Sequence, residues 1–115
     1  MGLQWEAVVV NSLDPITIGR WWADALGWTY TEEDDGDVVV TAPGRPELYF
    51  GKVPDEKAGF NRLHLDFRPD DQAAEVERLL ALGATHTDVG QTGDESWVVL
   101  ADPEGNEFCV LRSRS

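Results

Sequence analysis

This sequence is poor in cysteine, in basic residues and in long apolar runs, and each shortage narrows what the chain can be. One cysteine in 115 residues excludes an intrachain disulfide and fits a reducing compartment. Nine basic residues stand against 22 acidic ones, a formal charge of −13. Such a surface repels phosphate, so neither nucleic acid nor an anionic membrane is expected as a partner. Cationic ligands would be attracted, although acidity also serves plain solubility. No apolar run nears the roughly 20 residues of a membrane-spanning helix. No basic-then-apolar leader opens the chain, and the expected location is cytoplasmic. A hydrophobic fraction of 42% and five tryptophans suffice for the core of one domain.

What is present is strongly patterned. Residues 4–10 are strand-like, and Asp14-Pro15 signals a helix start, with Asp14 as N-cap and Pro15 at the first helical position. Ile18, Trp22 and Ala25 follow at helical spacing, and Gly27 is placed to end the helix in a left-handed cap. Strands are expected at 28–32, 38–42 and 47–53, separated by polar or Pro/Gly-rich turns. This module, 4–53, reads β-α-β-β-β, and residues 54–61 form a linker. A second module, 62–112, opens with a strand at 62–68. Asp70-Asp71 then precede a helix carrying Val76, Leu79, Leu80 and Gly83 along one stripe. A short strand at 84–88 and a Gly-rich turn at 89–95 lead to a closing hairpin, SWVVLADPEGNEFCVL. Its DPEGN connection joins two apolar runs, and Glu107 and Cys109 share one face of the last strand.

The modules repeat one another. Ala25-Leu26-Gly27 recurs as Ala81-Leu82-Gly83, and Asp14 as Asp71. Val38-Val39-Val40 recurs as Trp97-Val98-Val99, and Leu48-Tyr49-Phe50 as Phe108-Cys109-Val110. Neither half alone buries both faces of a four-stranded sheet, so the two are expected to share one core.

DPEGNEFCVL resembles the closing hairpin of the vicinal-oxygen-chelate superfamily, the glyoxalase and bleomycin-resistance proteins. NRLHLDF followed by Asp70-Asp71, and LLALGA, are similar to phrases of its glyoxalase-like branch. The resemblance covers roughly residues 4–112. It implies an α+β fold of two βαβββ modules paired into an open, curled β-barrel with helices outside, a single domain over 1–115, and a homodimer.

In metal-using members, ligands come from the inward faces of the first and fourth strands of each module. The matching positions here are His64, seven residues before Asp71, and Cys109, eighth counting from Asp102. The repeat maps them back to Ala7 (or Val8 with a one-residue slip) and Tyr49. A catalytic zinc or iron site needs about three protein ligands. Ala7 offers none and Tyr49 is a rare one, so no metal or other cofactor is expected, unless Glu107 reaches inward as a third donor.

The remaining candidates are polar or aromatic. On the strand 62–68, Leu63, Leu65 and Phe67 take the face under a helix, while His64, Asp66 and Arg68 take the other. His64 beside Asp66 reads as an oriented base or as a structural ion network. Glu107 reads as an acid/base group or a rim carboxylate, and Cys109 as a nucleophile or an inert buried thiol. Trp5, Ala7, Tyr49, His64, Trp97 and Cys109 are the candidate ligand-binding residues, with Trp5 and Tyr49 sharing the inward parity of Ala7 and Cys109. The function expected is binding of a small aromatic or cationic organic molecule in the cavity without a catalytic metal. The alternatives are a lyase, isomerase or similar enzyme using His64, Asp66 and Glu107, and a metal-dependent glyoxalase or dioxygenase relative.

Overall fold

The computed structural model describes residues 2, 4–59, 61, 63–87 and 96–114. The chain forms two compact units, Met1–Glu56 and Lys57–Ser115. In the first, β1 (Ala7–Ser12) leads to α1 (Pro15–Leu26), then β2 (Thr29–Glu32), β3 (Val38–Thr41) and β4 (Glu47–Lys52). In the second, β5 (Leu65–Phe67) leads to α2 (Gln72–Ala81), β6 (Thr85–His86), β7 (Val98–Ala101) and β8 (Glu107–Val110). This is the α+β pattern of two βαβββ modules. Among the described residues, no helix is long and apolar enough to cross a membrane.

Local chemistry explains the helix ends. The Asp14 carboxylate accepts from the Thr17 amide at 3.3 Å and from the Thr17 hydroxyl at 2.7 Å, occupying donors that the first turn leaves open. Gly27 closes α1 at φ 70°, a left-handed position that costs a glycine little. Asp71 caps α2 in the same way through the Ala74 amide. The buried stripe of α1 carries Ile18, Trp21 and Trp22, the two indoles meeting edge to face with centroids 5.0 Å apart.

The sheets have one topology. The first runs β1-β4-β3-β2 and the second β5-β8-β7-β6, each with one parallel pair, β1 with β4 and β5 with β8. The register repeats as well. Val9 and Val39 flank Tyr49 in the first sheet, and Asp66 and Val99 flank Cys109 in the second. Tyr49 is therefore the counterpart of Cys109, Val9 of Asp66, and Ala7 of His64.

Alternation sorts the faces. Val38, Val40, Leu48 and Phe50 are fully or nearly buried on the side of the first sheet that α1 covers. Leu100, Phe108 and Val110 are buried on one face of the second, with Phe67 edge to face on Phe108 at 5.9 Å. The Gln72 side chain ties α2 to this sheet, donating to the carbonyls of Val110 and Ser96.

Several elements are shorter than the sequence predicts. Strand β1 starts at Ala7 rather than residue 4, so Trp5 precedes it, 73% exposed. Strand β5 keeps three residues, leaving His64 just before it, and Leu63 is 89% exposed instead of packed under a helix. The register of β5 with β8 runs from Leu65 opposite Phe108 to Phe67 opposite Val110. Strand β6 is Thr85–His86; the expected end of this strand at Asp88 and the turn at 89–95 lie outside the described residues.

The closing hairpin is held by Asp102, 3% exposed. Its Oδ1 accepts from the amides of Glu104 and Asn106, both at 2.9 Å, and both carboxylate oxygens accept from Asn106 Nδ2. Asp102→Asn turns one of those acceptors into a donor facing Asn106 Nδ2. The expected loss is about 1 kcal/mol in chemical denaturation, the net worth of one hydrogen bond.

Candidate functional site

The second sheet gathers the polar candidates. His64 Nδ1 lies 2.9 Å from Asp66 Oδ1 and 3.8 Å from Cys109 Sγ. His64 and Asp66 stand two residues apart, and the β5–β8 register sets Asp66 directly beside Cys109. All three side chains therefore share the face opposite Phe108 and Val110. The imidazole and carboxylate are about half exposed, while Cys109 is buried. Burial, with the Asp66 charge second, pushes the Cys109 thiol up to about 11. A neutral thiol is thus the resting state, which removes the nucleophile that a low pKa would supply. Trp97 lies just before β7 and is 40% exposed.

Glu107 has another occupation. Its carboxylate accepts from the Asn61 amide at 2.8 Å and pairs with Lys57 Nζ at 3.0 Å, while Asn61 Nδ2 donates to the Glu107 carbonyl. Lys57 also donates to the Gly59 carbonyl. The side chain thus pins the 57–61 segment to β8. Burial raises its pKa, but the Asn61 amide and the Lys57 ammonium outweigh it, and the net shift is downward. A depressed carboxylate contributes stability above its ordinary value of 4.5 and loses it as pH falls through the folded value. Glu107→Gln is therefore expected to cost roughly 1 kcal/mol at neutral pH, after allowance for solvent screening. Its stability should also vary less than wild type's below pH 4.5; parallel curves in a pH series of melting temperatures would refute this.

In the first unit, Ala7 and Tyr49 lie on the face away from α1, but Tyr49 is committed. Its hydroxyl donates to Asp37 Oδ2 at 2.8 Å, and Asp37 Oδ1 accepts from the Lys52 amide. That hydrogen bond, then burial and the Asp37 charge, push the phenol up to about 12. Ala7 and Tyr49 therefore do not fit the first-module half of a metal site. The second module does better, because His64, Asp66 and Cys109 each offer a donor atom, all within 4.8 Å of one another. Asp66, not the Glu107 that the sequence offers as a third donor, is the residue that joins His64 and Cys109. The LHLDF alternation already put His64 and Asp66 on one face; what it did not carry was the register with Cys109.

A family model described as "Glyoxalase-like domain" matches residues 7–111. The chain belongs to the glyoxalase-like domain family. No curated protein matches it in sequence. Solved structures do match this glyoxalase-like domain. A glyoxalase/bleomycin resistance protein/dioxygenase family enzyme from Burkholderia phytofirmans PsJN is 20% identical, with TM-score 0.76, over 96% of this chain and 98% of the other. The bleomycin resistance determinant encoded on transposon Tn5 is 16% identical, with TM-score 0.64, over 98% and 100%. Oxidase ChaP-H2 is 19% identical, with TM-score 0.71, over 97% and 94%. At these identities the likeness is one of fold.

Proposed function

We propose that this glyoxalase-like domain binds a small aromatic molecule bearing a positive charge, on the face of the second sheet that carries His64 and Asp66, with Trp97, next to β7, as the aromatic contact. The observation that carries the reading is the half-exposed His64–Asp66 pair at 2.9 Å. The first module has Ala7 and Val9 at the same strand positions, so the polar pair is not a requirement of the sheet. Asp66 supplies the charge that recognises a cation, and a formal charge of −13 raises its local concentration. An indole ring such as Trp97's takes a cation on its face. The fold is one that the Tn5 bleomycin resistance determinant shares. A homodimer and a cytoplasmic location go with this reading.

The test is titration with benzyltrimethylammonium, followed by tryptophan fluorescence and calorimetry. Saturable binding that weakens about tenfold in Asp66→Asn is expected, about 1.4 kcal/mol for a partly exposed charge contact. Binding unchanged in both Asp66→Asn and Trp97→Ala would sink the reading. The 2.9 Å contact also supports a second one, His64 as a general base oriented by Asp66. Turnover of a carbonyl or hydroxy compound, abolished in His64→Gln, would establish it. Glu107 takes no part in either, being held by Lys57 and Asn61.

A further inference from the structure

We infer that the ligand of this face also carries a carboxylate, taken by Arg68, so that its chemical class is a zwitterionic aromatic amino-acid derivative such as a betaine. The inference rests on the ligand reading above and narrows it.

Arg68 continues the face of His64 and Asp66. It lies just after β5, but two observations carry the alternation through it. Pro69 follows, and a residue before proline is confined to extended backbone. The Leu111 amide donates to the Phe67 carbonyl at 2.8 Å, so the pairing of these two segments runs on past Val110. Extended residues two apart share a side, which sets Arg68 about 6.7 Å beyond Asp66 along the chain. One small molecule spans that separation.

The guanidinium is held but not neutralised. Its Nη1 donates to the Arg112 carbonyl at 2.8 Å, which uses one of five N–H groups. The ion pairs among the described residues are Lys57–Glu107, His64–Asp66 and Arg78–Glu75, and Arg68 is in none of them. This is an exposed guanidinium without a carboxylate in a chain of 22 acidic residues. Its remaining N–H groups form a planar fork that fits a carboxylate. For a plain cation Arg68 is a like charge on the binding face and a cost. For a zwitterion it is a second partner.

The repeat isolates both charges. Asn11 is the first-module counterpart of Arg68, following Ala7 and Val9 along β1, and none of the three is charged. A first strand of this module therefore folds without the opposite charges that Asp66 and Arg68 present.

The test compares benzyltrimethylammonium with N,N,N-trimethylphenylglycine, the same cation with a carboxylate on its benzylic carbon, by calorimetry on the full chain. The carboxylate form should bind about tenfold tighter, as a charge-assisted pair at a partly exposed site allows. In Arg68→Gln that preference should disappear, and benzyltrimethylammonium should bind roughly twofold tighter because a like charge has gone. Arg68→Lys, which keeps the charge and loses the fork, should retain part of the preference. Circular dichroism should show both variants folded, since the side chain they replace is exposed. Equal affinity for the two compounds in wild type would overturn the inference, and so would a preference that survives Arg68→Gln. Benzyltrimethylammonium binding with no gain from the carboxylate removes the zwitterion and leaves the cation reading standing. Binding of neither compound removes both.

Discussion

Gly19→Ala is expected to destabilise the chain by about 2 kcal/mol, although alanine is the better helix former. A Cβ at position 19 would sit 2.4 Å from Val38 Cγ1 and 3.1 Å from Val38 Cβ. Val38 is fully buried in β3 and β-branched, so it has one comfortable rotamer and nowhere to move. Overpacking of this kind costs up to about 3 kcal/mol, offset by about 1 kcal/mol of helix propensity. The helix must lift from the sheet or the valine must leave its rotamer. Chemical denaturation of the single variants, Val38→Ala included, and of the double variant completes the test. In the Val38→Ala background, Gly19→Ala should become neutral or stabilising. A destabilisation that persists there would show that the clash is not with Val38.

Cys109 in metal-free protein should react with iodoacetamide about a hundredfold more slowly at neutral pH than an ordinary exposed thiol. A pKa of about 11 against the usual 9.0 lowers the thiolate fraction by two powers of ten, and only the thiolate attacks. The rate should keep rising with pH beyond 9.0 and level off only near 11. Asp66→Asn removes the adjacent charge and should speed the reaction, whereas denaturation should bring it to the ordinary rate. A plateau close to 9.0 in the folded protein would contradict the picture of a dry thiol beside a carboxylate.

The helices were legible because their signals are local. Asp14 followed by Pro15, and Gly27 at the far end, are each read within a turn of backbone, and the structure puts N-cap and left-handed cap at those residues. The repeat was legible for a related reason. Two modules with one topology need apolar residues at matching strand positions, and Leu48-Tyr49-Phe50 against Phe108-Cys109-Val110 records that need. Strand ends were harder. Residues 4–6 and 63–64 have the composition of strand, yet β1 and β5 begin only at Ala7 and Leu65. A strand lasts as long as its partner offers groups to bond, and that is a property of another part of the chain.

The amino-acid sequence by itself determined the two βαβββ modules, the capped helices, the Asp102 turn, and the shared face of His64 and Asp66. Each depends on contacts within a few residues or on strict alternation along one strand. Only the tertiary structure decided what those side chains meet. Parallel pairing of β5 with β8 brings Cys109 to His64 across 45 positions of sequence and turns two candidates into three converging donors. Other tertiary contacts commit Tyr49 to Asp37 and Glu107 to Lys57 and Asn61. Alternation states which way a side chain points, but the register across strands is chosen by the packing of the whole sheet, so the chemistry at Cys109 could not be read before the fold was known.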